Sequence, residues 1–370
     1  MKIVNISHVY FPAERVPLDW INKSRFFKGA WEKLAETQEV IFAEFINFTG
    51  SITHYGIEYW FTPKSKQALR FPLKTHLAIA KALPDVVIVH GTMFPVQVIL
   101  LRLLLKSNCK IVVQHHGERL TQHPLKRFLL KLSDRFINTY FFTAAAQADP
   151  WIASGIISHG NKVVEVMETS SVFKPISEHE AKAVTKINTG NNYIWIGHLN
   201  ENKNPLLVVK AFTRFVADGN DRHLYMVYQS EKLLPEIIQW FKDHPGLENH
   251  IHLIGKIEHT DLVFWFCSVD FIISSSYSEG SGVAVCEGMS CGCIPILTSI
   301  PSFRYMTGNA CGILYDAGDH QSLVEALFAS SKMDVTVEKV KTLRQFQQSL
   351  SFDAIARRLQ QVLVQISKQD

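Results

Sequence analysis

A chain of 370 residues is long for one ordinary hydrophobic core and predicts two domains of comparable size. Hydrophobic residues make up 47% of it, which supplies packed interiors and excludes a disordered chain. The formal charge of +4 is too small an excess to imply a nucleic-acid partner, though it suits a surface that meets phosphates or anionic lipid.

Short β-rich runs alternate with helical patterns along the chain, the mark of βαβ units and parallel sheets. In the first half, residues 2–8, 40–45, 85–89 and 110–114 read as strands, and residues 93–105 as a crossover helix between the last two. Residues 135–143 and 162–167 complete a sheet. A polar, turn-rich stretch over 176–192 reads as a linker. A second alternation follows, with strands at 193–197, 224–228, 251–254, 271–274 and 295–297. Helices fall between them at 205–216, 233–241, 260–267 and 283–291. In the tail, Ile355, Leu359, Val362 and Ile366 recur at a helical period. The expected fold class is α/β, with domains at 1–175 and 193–350 and a last helix within 351–370.

The six cysteines lack metal-ligand spacing and sit mostly in apolar runs, so buried reduced thiols are expected, with no metal site. Met1 to Ile6 reads as a first strand and not as a signal peptide. The most apolar run, residues 94–105, is interrupted by Gln97 and Arg102 and is shorter than the roughly 20 residues of a bilayer span. These features lead to the expectation of a cytoplasmic protein, with contact at the inner face of the membrane as an added reading. Arg102, Lys106 and Lys110, then Lys126, Arg127 and Lys131, are interleaved with Leu and Phe as in helices that lie on anionic bilayers. An ordinary helix with a solvated basic side is the plainer alternative.

Open α/β sheets bind ligands beyond the carboxyl ends of their strands, so the residues just after each strand carry the information. After strand 271–274 comes a loop with Glu279, Gly280, Ser281 and Gly282, and then a helix opening at Val283 and containing Glu287. Glu279 is placed to bond sugar hydroxyls. Gly280 and Gly282 let backbone N–H groups approach a ligand at a helix start whose dipole favours phosphate. Glu287 stands one to two turns on, where a ribose hydroxyl could reach it. The plain alternative is a tight turn with two solvated carboxylates. After strand 193–197 come His198 and Lys203, and a Lys in such a loop suits a diphosphate leaving group as a point charge. After strand 110–114 come His115 and His116, of which one should face the ligand side.

Taken in order, these stretches resemble the retaining glycosyltransferases of family 4, the glycosyl transferases of group 1, with the GT-B fold of two facing Rossmann-like, doubly wound domains and a C-terminal crossover helix. The run from Glu279 to Glu287 resembles the family's E-x7-E signature. Gly197-His198-Leu199 to Lys203 resembles its G-R-L…K loop, and His116-Gly117 its strand-end histidine. The resemblance implies that Glu279 contacts the donor sugar, Glu287 the ribose, and Lys203 the diphosphate together with amides near Ser281, Gly282 and Val283. It places His116 beside the transferred sugar. Three departures stand out. His198 stands where the family usually carries Arg, Tyr305 replaces a common Glu, and Phe11 to Arg15 replaces a glycine-rich loop.

The function expected is hexosyl transfer in polysaccharide biosynthesis, from a nucleotide-diphosphate sugar to a glycan, lipid-linked or small-molecule acceptor. It is expected to need no metal and no cofactor, to retain anomeric configuration and to involve no nucleic acid. A nucleotide-sugar epimerase on the same architecture, a nicotinamide oxidoreductase and a non-catalytic donor-binding relative are the rival readings. The missing GxGxxG after the first strand counts against the oxidoreductase.

Overall fold

The computed structural model describes residues 1–63, 68–187 and 190–368, which divide into two compact units. The first is Met1–Ser170 with Phe352–Asp370, and the second is Ser171–Ser351.

The first unit is built from β1 (Lys2–Phe11), α1 (Pro17–Lys23), α2 (Arg25–Leu34), β2 (Glu39–Ile46), β3 (Gly50–His54), β4 (Ile57–Phe61) and α3 (Leu73–Lys81). It continues through β5 (Val86–His90), α4 (Pro95–Leu104), β6 (Lys110–Gln114), α5 (Pro124–Asp134), β7 (Thr139–Phe142), α6 (Asp149–Ala153) and β8 (Val163–Glu165). The sheet order is β3-β4-β2-β1-β5-β6-β7-β8, parallel throughout except for β3, which runs antiparallel to β4. Buried Val, Ile and Phe fill β1, β2, β5 and β6 on both faces, the composition of strands covered by helices on each side. The chain leaves β1 in one direction to reach β2 and in the other to reach β5. Right-handed crossovers therefore set α1 and α2 on one face of the sheet and α3, α4 and α5, packed side by side, on the other.

The second unit comprises α7 (Glu178–Thr185), β9 (Asn191–Gly197), α8 (Pro205–Val216), β10 (Arg222–Tyr228), α9 (Leu234–Asp243), β11 (Ile251–Gly255) and α10 (Leu262–Ser268). After these come β12 (Phe271–Ser274), α11 (Val283–Ser290), β13 (Ile294–Thr298), α12 (Pro301–Thr307), β14 (Ile313–Tyr315), α13 (His320–Ser330) and α14 (Val335–Gln345). Its six-stranded sheet is parallel, in the order β11-β10-β9-β12-β13-β14. Tyr193 stacks on Phe271 with ring centroids 4.8 Å apart, joining the two central strands through the core. The chain then returns to the first unit as α15 (Phe352–Ser367), which packs against α2 and buries Ile355, Leu359 and Val362.

Several expectations need correction. Residues 135–138 are not strand, because α5 runs to Asp134, whose buried carboxylate accepts from the Tyr140 hydroxyl and pairs with Lys162. Strand β3 had no strong signal: three of its five residues are exposed, so apolar alternation is absent there. The stretch over 176–192 is not one free linker. Ser177 caps α7 through Glu180 N, Ala181 is buried, and β9 has begun by Asn191, while Asn188 and Thr189 lie outside the described residues. Residues 171–175, which the sequence grouped with the first domain, belong to the second unit, where Phe173 packs on His259 and Phe266. Residues 369 and 370 of the last expected segment also lie outside the described residues. All six cysteines are free thiols, and all but Cys291 are fully buried. Among the described residues no helix is long and apolar enough to cross a membrane.

Gly312, just before β14, holds φ +69°, and a Cβ there would lie 2.1 Å from the Pro295 carbonyl oxygen on β13. A backbone atom in a paired strand cannot yield cheaply. Gly312→Ala is expected to lower unfolding free energy by about 3 kcal/mol or more, adding steric strain to the cost of the left-handed conformation. Urea denaturation of the two proteins checks it.

Candidate functional site

In the second sheet the chain moves outward from β9 to β10 and β11, then returns to the other side of β9 to lay down β12. The connections after β9 and β12 consequently diverge from neighbouring strand ends, and such a reversal opens a crevice at the carboxyl edge. Lys203 lies in the first of these connections, Glu279 in the second.

The two loops are stitched together. Tyr277 N donates to Asn202 O at 2.9 Å, and Asn202 Nδ2 donates to Ser278 O at 2.9 Å. Buried Ser275 Oγ donates to the carbonyls of Lys203 and Asn204 at 2.6 and 3.0 Å. Asn204, at the left-handed φ of 44° before α8, donates through Nδ2 to the Tyr277 hydroxyl at 3.1 Å. On this frame Lys203 Nζ donates to Glu279 Oε1 in a half-buried ion pair. His198 is exposed, with Nδ1 3.2 Å from Ser230 Oγ.

Beyond Glu279, Gly280 is half-buried and Ser281 is buried. Gly282 takes φ 64° and ψ 57° before α11, and a Cβ on it would meet the Phe303 ring at 2.6 Å. The N-cap residue Gly282 has no side chain to cap α11, and the first turn, opening at Val283, carries no acid, so the positive end of its dipole suits an anion. Glu287 is buried at 2% exposure, and its Oε1 lies 2.6 Å from His259 Nε2. That hydrogen bond outweighs the burial of His259 and raises its pKa. The carboxylate expected to be open to a ribose is thus covered by a histidine.

His116 belongs to the first unit, at the carboxyl edge of its sheet. Of the adjacent histidines, His115 turns inward and stacks on Phe142, and His116 turns outward, as strand alternation requires. Asn5 Oδ1 lies 3.0 Å from His90 Nε2, His90 Nδ1 lies 3.2 Å from His116 Nε2, and His116 Nδ1 pairs with buried Glu168. Burial pushes His90 far down, with His116, Lys28 and His8 adding to the effect. Burial also opposes charge on His116, but the charge and hydrogen bond of Glu168, and then Glu118, hold its pKa above the ordinary value. Of the two rings, His116 is thus the one whose charged form its surroundings favour.

Residues 177–342 match the sequence profile of the family described as glycosyl transferases group 1. The matched segment lies wholly within the second unit. A lipopolysaccharide core biosynthesis mannosyltransferase, LpsB of Rhizobium meliloti, is 25% identical over 245 residues, which cover 62% of this chain and 64% of that protein. The chain thus spans less than two thirds of the length of this curated relative. Among solved structures, HepE of Anabaena in complex with UDP has TM-score 0.73 at 13% identity, over 99% of this chain and 100% of that one. A glycosyltransferase from Rickettsia africae ESF-5 has TM-score 0.72 at 13% identity, over 100% and 99%. The chain has the GT-B fold.

Within that fold the Lys203–Glu279 pair and the α11 N-terminus sit on the second Rossmann-like unit, and His116 sits on the first. Sequence reasoning passed over the groups that hold these residues: Ser275, Asn202 and Tyr277 around the ion pair, His259 over Glu287, and Asn5, His90 and Glu168 behind His116. Asn202, Ser275 and Tyr277 lay in loops already singled out, and their hydrogen-bonding side chains were the available signal. His259 and Glu168 had none, being distant in sequence from their partners.

Glu168→Gln is expected to lower the His116 pKa, followed by the imidazole resonances in an NMR titration. Because the folded value is raised, the stability that the pair contributes is fully present below about pH 6.5 and is lost as pH rises through the His116 pKa. The stability difference between wild type and variant should shrink across that window.

Proposed function

We propose that this protein is a glycosyltransferase that moves a sugar from a nucleotide-diphosphate donor to a glycan or lipid-linked acceptor, with retention of anomeric configuration. The observation that carries the reading is the match of residues 177–342 to the glycosyl transferases of group 1, over a segment that contains Lys203, Glu279 and the start of α11. It also disfavours the epimerase. The mannosyltransferase name of LpsB, and the UDP in the HepE complex, support a nucleotide sugar as donor and a saccharide built on lipid as acceptor.

In this reading the diphosphate lies against the start of α11, where the amides of Ser281, Gly282 and Val283 and the helix dipole meet negative charge. Lys203 shifts from Glu279 to the diphosphate, whose greater charge competes for the ammonium, and Glu279 is released to sugar hydroxyls. His198 supplies a weaker second contact in place of an arginine. Glu287 takes the ribose by sharing its carboxylate with His259. His116 keeps Nδ1 on Glu168 and turns Nε2 from His90 to donate to the transferred sugar. As the anomeric bond lengthens, negative charge grows on the diphosphate, and Lys203 with the amides stabilises it more strongly than in the ground state. No carboxylate is assigned as nucleophile. The acceptor attacks from the face the diphosphate leaves, and the departing phosphate takes its proton.

A screen of nucleotide sugars for hydrolysis and transfer tests class and donor together. Turnover of one donor is expected, and Lys203→Ala should lower kcat by about 10²–10³ while the fold is kept. Full turnover by that variant, or donor isomerisation without transfer, would overturn the reading.

A further inference from the structure

The small net charge of the chain hides a strong local excess. Residues 68–135 hold eleven Lys and Arg against three Asp and Glu, a net +8 in a chain of +4. Those three acids are not on the outer surface of the helices between them. Asp85 accepts from the Lys2 backbone at the start of β5, Glu118 accepts from the amides of Thr92 and His116, and Asp134 is buried against Lys162. The segment forms the helical layer of α3, α4 and α5 on one face of the first sheet.

The same layer is apolar where it should be polar. Leu103 is 73% exposed, Phe71 and Phe128 62%, and Leu125 60%, and no other large apolar side chain among the described residues is as open to solvent. On α5 the buried residues are Leu130, Ser133 and Asp134, while Leu125, Phe128 and Leu132 repeat along the outer side with exposed Lys131 and Arg135. On α4, exposed Leu103 is followed by exposed Lys106. An outward stripe of Leu and Phe flanked by Lys and Arg, with no acid among them, is poorly solvated by water and well matched to one partner.

We infer that the outer face of α3, α4 and α5 docks on an anionic phospholipid bilayer, its leucines and phenylalanines entering the headgroup boundary and its lysines and arginines facing lipid phosphates. A soluble polyanion would satisfy the charges and leave the apolar side chains in water, so the bilayer is the occupant that uses both. The inference does not depend on the reaction catalysed.

The test uses the full chain and vesicles of phosphatidylcholine alone, or of roughly two parts phosphatidylcholine to one part phosphatidylglycerol. The protein should sediment with the anionic vesicles and not the neutral ones, and should release at about 1 M salt, where the Debye length falls to about 3 Å. Lys106→Glu with Lys131→Glu, and separately Leu103→Ser with Phe128→Ser, should each weaken partitioning about tenfold or more. Phe128→Trp should keep binding, and its difference emission spectrum against wild type should shift to the blue with anionic vesicles. That variant keeps the test decisive if a double substitution unfolds. Failure to sediment with anionic vesicles at low salt overturns the inference. So does binding that falls with the charge reversals yet survives the serine pair, which marks a polyanion site, and so does binding without a tryptophan shift.

Discussion

The reversal of strand order at the centre of each sheet is the constraint on which the rest of the molecule depends. Between β9 and β12, and between β1 and β5, neighbouring parallel strands send their chains in opposite directions. A helix cannot cover the gap between two diverging connections, so the carboxyl edge stays open there. Below that edge the strands are held by apolar packing, as in the stack of Tyr193 on Phe271. Above it the backbone leaves the ladder and its polar groups need other partners. Ser275 and Asn202 supply them in the second unit by donating to the carbonyls of Lys203, Asn204 and Ser278, and Glu118 does so in the first by accepting from the amides of Thr92 and His116.

The three ionic pairs at these edges share a polarity. The side chain of Glu279 is 12% exposed against 25% for Lys203, Glu287 is 3% against 54% for His259, and Glu168 is 6% against 30% for His116. In each the carboxylate is the inner partner and the basic group the outer one. A buried carboxylate is costly without a counter-charge, so the acid anchors its base in one orientation, and the base keeps part of its surface for a ligand. Half-exposed pairs contribute little to stability, which makes positioning the better account of why they are built this way. An anionic ligand entering either edge meets the basic partner first.

This division explains which parts of the site could be read from sequence. Lys203 and Glu279 were legible because each follows a strand with a clear apolar run, at residues 193–196 and 271–273. Their partners in space were not, since contact between residues 76 apart is set by strand order, which no local pattern encodes. Glu168 is further hidden by its setting, 52 residues from His116 in a polar stretch that read as little more than the end of a strand. The fold shows the same split. Strands buried on both faces were found almost to the residue, as at 110–114, whereas the mostly exposed strand β3 and the polar helix α7 were missed because neither carries a strong apolar period.

Charge follows the same rule. The basic residues of α4 and α5 are visible in sequence, but their meaning depends on where the crossovers deposit them. Strand order β1-β5-β6-β7, with right-handed connections, places α3, α4 and α5 in one layer and leaves α1, α2 and α15 on the opposite face. Charges scattered over residues 68–135 thereby become one surface, and the apolar side chains that packing did not need are gathered among them. The carboxyl edge of the same sheet carries His116 and its relay. A helix layer and a strand edge are different faces of one α/β unit, so a surface held against lipid through α3–α5 leaves the edge with His116 uncovered by that contact.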